Sequence, residues 1–163
     1  MKATSTLFNT LLTWIALGCV LLFNSCTPIN IFEKNVPIPN MQWSSSFNGK
    51  GSFIIADTLA TYNVYLTLRH TDKYAYNNIW LNIGLQEPGD SMQIQKINLS
   101  LGSDATGWEG TGMNDIWEVR KLLSANPLHF KNKGSYQFCI SQIMRDNPLL
   151  QVMSVGLRLE KKL

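Results

Sequence analysis

Over most of this chain apolar and polar side chains alternate with a period of two, the spacing of strands that bury one face. The clearest run is residues 61–70, where Tyr62, Val64, Leu66 and Leu68 share one face and Asn63, Tyr65, Thr67 and Arg69 the other. Residues 78–86 repeat the habit, with Ile79, Leu81, Ile83 and Leu85 set against Asn78, Trp80, Asn82 and Gly84. A turn at Glu87-Pro88-Gly89-Asp90 leads into residues 92–101, where Met92, Ile94 and Lys96 alternate with Gln93, Gln95, Ile97, Leu99 and Leu101. The apolar phase changes near Lys96-Ile97, which suits a bulge. Shorter strands are predicted at 43–47 and 51–56, around an Asn48-Gly49 turn, and closing strands at 135–143 and 151–160. Gly156 reads as a bulge or a close backbone approach. Residues 115–123 fit a short helix capped by Asp115 or a strand, and the strand is preferred because its neighbours are β. Residues 102–114 hold Gly102, Gly107, Gly110 and Gly112 around Trp108-Glu109, and a long loop is expected there. Seven or eight short strands with little helix predict an all-β fold, a single antiparallel β-sandwich with the jelly roll among its possible forms.

The first 26 residues break this pattern. An apolar stretch from Leu11 to Phe23, interrupted by Thr13, follows Lys2 and ends on Asn24-Ser25-Cys26. That is the order of an export signal, and its core is short for a helix that spans a bilayer. A small residue before a cysteine predicts a bacterial lipoprotein, cleaved after Ser25 and acylated at Cys26. Cys19, preceded by Gly18, is a rival that would leave Val20-Leu21-Leu22-Phe23 as an apolar mature terminus. The expected organisation is a signal peptide at 1–25, a lipidated tether and extended lead-in at 26–42, and the sandwich domain at 43–163. Pro37 and Pro39 favour extended backbone in the lead-in. Several acyl chains anchor stably without help from charge, so membrane attachment is expected to run through the N-terminal lipid.

The net charge of +3 is scattered, with small clusters at Lys131/Lys133 and Lys161-Lys162, and forms no nucleic-acid stripe. With Cys19 in the signal and Cys26 lipidated, Cys139 stands alone. No intramolecular disulfide is expected, and the flanking Phe138 and Ile140 predict a buried, inert thiol. His70 and His129 lack companions for a metal, so no metal and no cofactor are expected. The G-x-S-x-G, H-E-x-x-H and P-loop motifs are absent and no residue is assigned a catalytic role. Asp104, Glu109, Asp115 and Glu118 are the densest acidic group, read as a solvated loop ahead of a glycosidase pair or a calcium site. The remaining candidates are aromatic. Tyr65 and Trp80 fall on polar strand faces, and Trp108 lies in the glycine loop beside Glu109. These four residues form the candidate binding surface, suited to a protein hot spot or a sugar platform, with partial burial on both strand faces as the structural alternative.

Several segments together resemble the GldH family of lipoproteins, associated with gliding motility in Bacteroidetes. They are the signal cysteine, Val36-Pro37-Ile38-Pro39-Asn40-Met41-Gln42-Trp43 leading to Phe47, and the run from Tyr62 through Leu68-Arg69-His70-Thr71. Tyr76-Asn77-Asn78-Ile79-Trp80-Leu81, Gly107-Trp108-Glu109-Gly110-Thr111-Gly112 and Asp115-Ile116 continue it. Gly134-Ser135-Tyr136-Gln137-Phe138, Gln142-Ile143-Met144-Arg145, Pro148-Leu149 and Val155-Gly156-Leu157-Arg158 complete it, so the resemblance spans nearly all of the mature chain. It implies an outer-membrane lipoprotein that supports gliding machinery and the secretion of surface adhesins, and it brings no catalytic residue. The expected function is a non-enzymatic accessory component of an envelope assembly with protein partners; the alternative is a lipid-anchored module for glycan or peptidoglycan. Thr27-Pro28-Ile29-Asn30 lacks the early acidic run of a surface-export signal, which favours the periplasmic face of the outer membrane.

Overall fold

The computed structural model describes residues 31–162, and nearly all of its regular structure is extended. The signal segment, Cys19 and Cys26 lie outside the described residues. Eight longer strands carry the architecture: β1 (Ile31–Pro37), β2 (Gly49–Ile55), β3 (Thr61–Thr71), β4 (Asn78–Gln86), β5 (Gln93–Ser100), β6 (Ile116–Leu122), β7 (Gly134–Gln142) and β8 (Val152–Lys162). One sheet runs β1-β8-β3-β6 and the facing sheet β2-β7-β4-β5. The chain changes sheet at every step between these strands except the β4–β5 hairpin. Strands equidistant from that hairpin pair antiparallel: β4 with β5, β3 with β6, β2 with β7, and β1 with β8. Two further pairings, β8 with β3 and β7 with β4, roll this long double strand into a sandwich. That winding is a jelly roll.

The alternation places the core. Val64, Leu66 and Leu68 from β3 meet Ile79 and Leu81 from β4, Phe138 and Ile140 from β7, and Val155, Leu157 and Leu159 from β8. Phe53, Phe130 and Tyr136 close one end, with the Phe53 and Tyr136 rings stacked 5.4 Å apart. On the outer face of the β1-β8-β3-β6 sheet, Arg158 bonds Glu33 and Glu160, and Arg69 bonds Glu118.

Several expectations need correction. Residues 31–37 of the lead-in are extended as expected but are hydrogen-bonded to β8 as the edge strand β1. The strand expected at 43–47 is reduced to Gln42–Trp43, paired with Leu149–Leu150. After it the chain turns, with Phe47 N–H donating to Ser44 O and Trp43 Nε1 to Phe47 O. The serines there compete for the backbone, Ser46 N–H bonding Ser44 Oγ. Residues 102–114 are not an open loop: Gly102–Ser103 pairs with Gly107–Trp108, and Thr111–Met113 pairs with β6. β5 carries no bulge, since its register with β4 is unbroken; the irregularity lies instead in β8 between Val152 and Ser154. Gly156 marks close approach, because a Cβ there would fall on Lys34 O and the Asn35 side chain. Asn35 crosses Gly156 to accept a hydrogen bond from Thr67 Oγ1 at 2.5 Å. Cys139 points outward and is only half-buried, so the flanking Phe138 and Ile140 do not enclose it.

Candidate functional site

At one end of the sandwich the segment before β4 carries Tyr74, Tyr76 and Asn77, and the strand's first residue Asn78, past two adjoining concavities. The first, of about 420 Å3, is lined by Tyr76, Trp80, Lys96, Met144 and Arg145. The second, of about 330 Å3, is lined by Tyr74, Tyr76, Asn77, Asp104 and Trp108. Tyr76 belongs to both, so Trp80 and Trp108, far apart in sequence, flank one aromatic ridge.

Trp80 points outward from β4 and is 39% exposed, with the Lys96 ammonium 5.2 Å from its ring. The segment after β7 is fastened beside it: Ile143 N–H donates to Trp80 O at 3.0 Å, and Trp80 N–H meets Met144 Sδ at 3.3 Å. Gln142, 1% exposed, organises that segment from beneath. Its Nε2 donates to Trp43 O and Asp146 O, and its Oε1 accepts from Met144 N–H. Tyr76 donates its hydroxyl to the Asp146 carboxylate at 2.7 Å, and that bond raises the phenol's pKa above its ordinary value.

Trp108 is half-buried, not a free anchor. Its ring meets His70 edge-on at a centroid distance of 4.6 Å and lies 6.3 Å from Tyr74. His70 is fully buried; its Nδ1 lies 2.8 Å from Thr71 O, while Nε2 has no partner among the described residues. Burial holds the His70 pKa below its ordinary value, so the imidazole is neutral. Glu109 is a brace: its carboxylate pairs with Lys121 and accepts from Ser100 Oγ at 2.7 Å. Lys121 first, then Ser100, hold its pKa below the usual carboxylate range.

Tyr65 does not join this group. It projects from the outer face of the other sheet, between Leu122 and Arg158. Among the described residues no cluster of His, Cys, Asp or Glu could hold a metal ion. Sequence reasoning missed Tyr76, Met144, Arg145 and the buried Gln142. The tyrosines at 74 and 76, just before a strand of alternating pattern, were the available signal for the first.

The family described as GldH lipoprotein matches residues 30–159 of this chain. The chain is also 24% identical over 155 residues to the gliding motility lipoprotein GldH of Flavobacterium johnsoniae, covering 91% of this chain and 94% of that protein. The protein belongs to the GldH lipoprotein family, as a lipid-anchored accessory component of the outer membrane linked to gliding motility.

Proposed function

We propose that the ridge formed by Tyr76, Trp80 and Trp108 is the surface through which this lipoprotein docks a protein partner of an envelope assembly, on the periplasmic face of the outer membrane. The observation that carries this is the composition and bonding of the first concavity. Tyr, Trp, Met and Arg are the side chains enriched at protein interfaces, and all four line it. Two of its polar groups are already bonded within the protein: Tyr76 to Asp146, and Asn78 Nδ2 to Asn98 Oδ1 at 2.8 Å. The Trp80 ring carries Lys96. A glycan needs an open ring face and unspent hydrogen-bonding groups, so these commitments favour a protein over a sugar. The residues after Cys26, Thr27-Pro28-Ile29-Asn30, carry no acidic run that would direct export to the surface.

The test is affinity purification of the full-length lipoprotein, crosslinked in intact cells, beside Trp80→Ala and Tyr65→Ala forms. A defined set of envelope proteins is expected with the parent and with Tyr65→Ala, and its loss with Trp80→Ala. Equal recovery with all three would remove the ridge from the interface. Trp80-dependent binding of soluble wall sugars would transfer the site to glycan. Protease treatment of intact cells should spare the protein; its digestion would place it on the cell surface.

A further inference from the structure

The sandwich treats its strand edges unequally. The outer edge of β6 is covered over Ile116–Glu118 by Thr111–Met113, and beyond that cover an inward-facing Lys121 is held by Glu109. β1 carries Glu33, Lys34 and Pro37. Covering strands, inward charges and prolines are the devices that keep an edge from pairing with another chain. β5 has none of them. It runs for eight residues beside β4 alone, without proline or bulge, and its one charge, Lys96, points outward over Trp80.

The backbone of that edge is free. Leu101 N–H donates to Asn77 O at 2.7 Å, which sets the alternation of the antiparallel ladder. The odd-numbered residues of β5 therefore bond β4, and the N–H and C=O of Ile94, Lys96 and Asn98 point away from the sheet. Among the described residues no strand receives them.

The core is open beside the same edge. A crevice of about 430 Å3 runs between the sheets, walled by Ile83, Leu85, Leu123, Leu128 and Phe130, with Gln93 and Gln95 at its mouth. Ile83 and Leu85 face inward yet are only half-buried, and the inward-facing Gln93 and Gln95 are exposed. An apolar cavity of about 150 Å3 accommodates one benzene-sized group, so this crevice has room for two or three apolar side chains.

We propose that the free edge of β5 receives an extended segment of a partner polypeptide as an added strand, its alternate apolar side chains filling the inter-sheet crevice and a carboxylate standing opposite Lys96. Backbone pairing supplies the affinity and the alternate pockets the selectivity, as in other strand-addition complexes. Lys96 is the only charge on β5, so charge complementarity asks for an acidic residue on the outward side of the incoming strand. A second copy of this chain fits less well, because Ile97 and Leu99 of its β5 already pack on their own core. An acyl chain fits less well because it would cover the free peptide groups without bonding them. The site shares Lys96 with the first concavity of the ridge, but its unpaired peptide groups and its crevice do not depend on the ridge as a docking surface.

The test uses the full-length lipoprotein in lipid nanodiscs, with hydrogen exchange read by segment. The probe is the synthetic peptide Ser-Val-Thr-Leu-Glu-Val-Thr-Ser, beside a scrambled peptide and one N-methylated at alternate amides. The alternating peptide is expected to slow exchange in residues 93–100 about tenfold, the mark of newly bonded amides, and to leave 78–86 unchanged. Gln95→Lys, which places at β5 the inward charge that Lys121 provides at β6, should weaken that protection about tenfold while melting like the parent. No protection at saturating peptide, or equal protection by the scrambled or N-methylated peptide, would overturn the proposal. Protection that rises with protein concentration alone, with dimers in sedimentation, would assign the edge to a second copy. Protection of 123–128 by palmitate, with 93–100 unaffected by peptide, would assign the crevice to lipid.

Discussion

Gln142 is the polar residue whose loss should most disturb the ridge, because three hydrogen bonds from one buried amide hold the segment that lines it. Its Nε2 lies 3.2 Å from Trp43 O and 3.1 Å from Asp146 O, and Met144 N lies 2.7 Å from Oε1. Gln142→Leu keeps the volume and removes all three. At about 1 kcal/mol for each bond, with a small offset from the added apolar surface, the expected cost is roughly 3 kcal/mol. For a domain of this size that is a fall in Tm on the order of 10 °C. Gln142→Glu separates the amide's chemistry from its shape. The carboxylate still accepts from Met144 N–H, but at neutral pH its second oxygen faces two carbonyls in place of the Nε2 donor. The Glu variant should therefore be less stable than the Leu variant at pH 7. Its folded-state pKa is raised above the unfolded value of about 4.3, so its deficit shrinks as pH falls through the raised value and is smallest below the unfolded one. Denaturant unfolding of both variants at pH 7 and pH 4.5 measures this. A Leu variant that loses less than about 1 kcal/mol, or a Glu variant whose deficit ignores pH, would refute Gln142 as the organiser of the segment.

Trp108→Ala should cost about 2 kcal/mol, below the usual range for a fully buried aromatic because Trp108 is half-buried against His70, and Trp108→Phe should recover most of it in thermal melts. Gly156→Ala places a methyl group on Lys34 O and Asn35, so a loss of about 1–3 kcal/mol and faster hydrogen exchange confined to β1 are expected. The depressed pKa of His70 means that below about pH 6.5 the unfolded chain binds a proton that the native chain does not. Stability should therefore fall as pH drops from 6.5 toward 5, and His70→Leu should flatten that slope in denaturant titrations. The acid-side loss from Glu33 and Glu109, whose pKa values lie below 4.5, should survive in that variant.

What the sequence discloses depends on whether neighbouring residues or distant strands decide the outcome. β3 and β4 are legible because their core positions alternate without a break and both ends are bounded by turn residues. β5 was misread for a physical reason: Gln93 and Gln95 face inward where the core is open, so polar residues occupy positions that alternation assigns to apolar ones. The apparent phase change came from the crevice, not from a bulge. The wrapping of β8 onto β3 and β7 onto β4 joins residues far apart in the chain, and no local pattern encodes it. The candidate site was half legible. Trp80 and Trp108 stood out as aromatics in polar settings, but their meeting across Tyr76 follows from the fold, and Tyr65, chosen by the same logic, faces the opposite way. Gln142 carried no signal, since an inward glutamine at a strand end reads as a solvated one.

The two outer faces divide the work of the molecule. On the β1-β8-β3-β6 sheet, Glu33, Arg158 and Glu160, with Arg69 and Glu118, bond among themselves and leave few groups unspent. On the facing sheet, Trp80 is partly exposed and Ile94 is 68% exposed, beside an edge whose peptide groups have no partner among the described residues. Lys96 links the ridge to that edge, because its ammonium lies over Trp80 while its backbone belongs to the free side of β5. A carboxylate on an added strand would compete with the ring for the ammonium. An exposed cation–π contact and an exposed ion pair are each worth about 0.5–1 kcal/mol, so moving the ammonium off the ring costs little. Strand addition at β5 would then uncover Trp80 for the same partner. Tryptophan fluorescence should respond to the acidic alternating peptide in the parent and not in Trp80→Phe or Lys96→Met; an equal response in all three would uncouple the two surfaces.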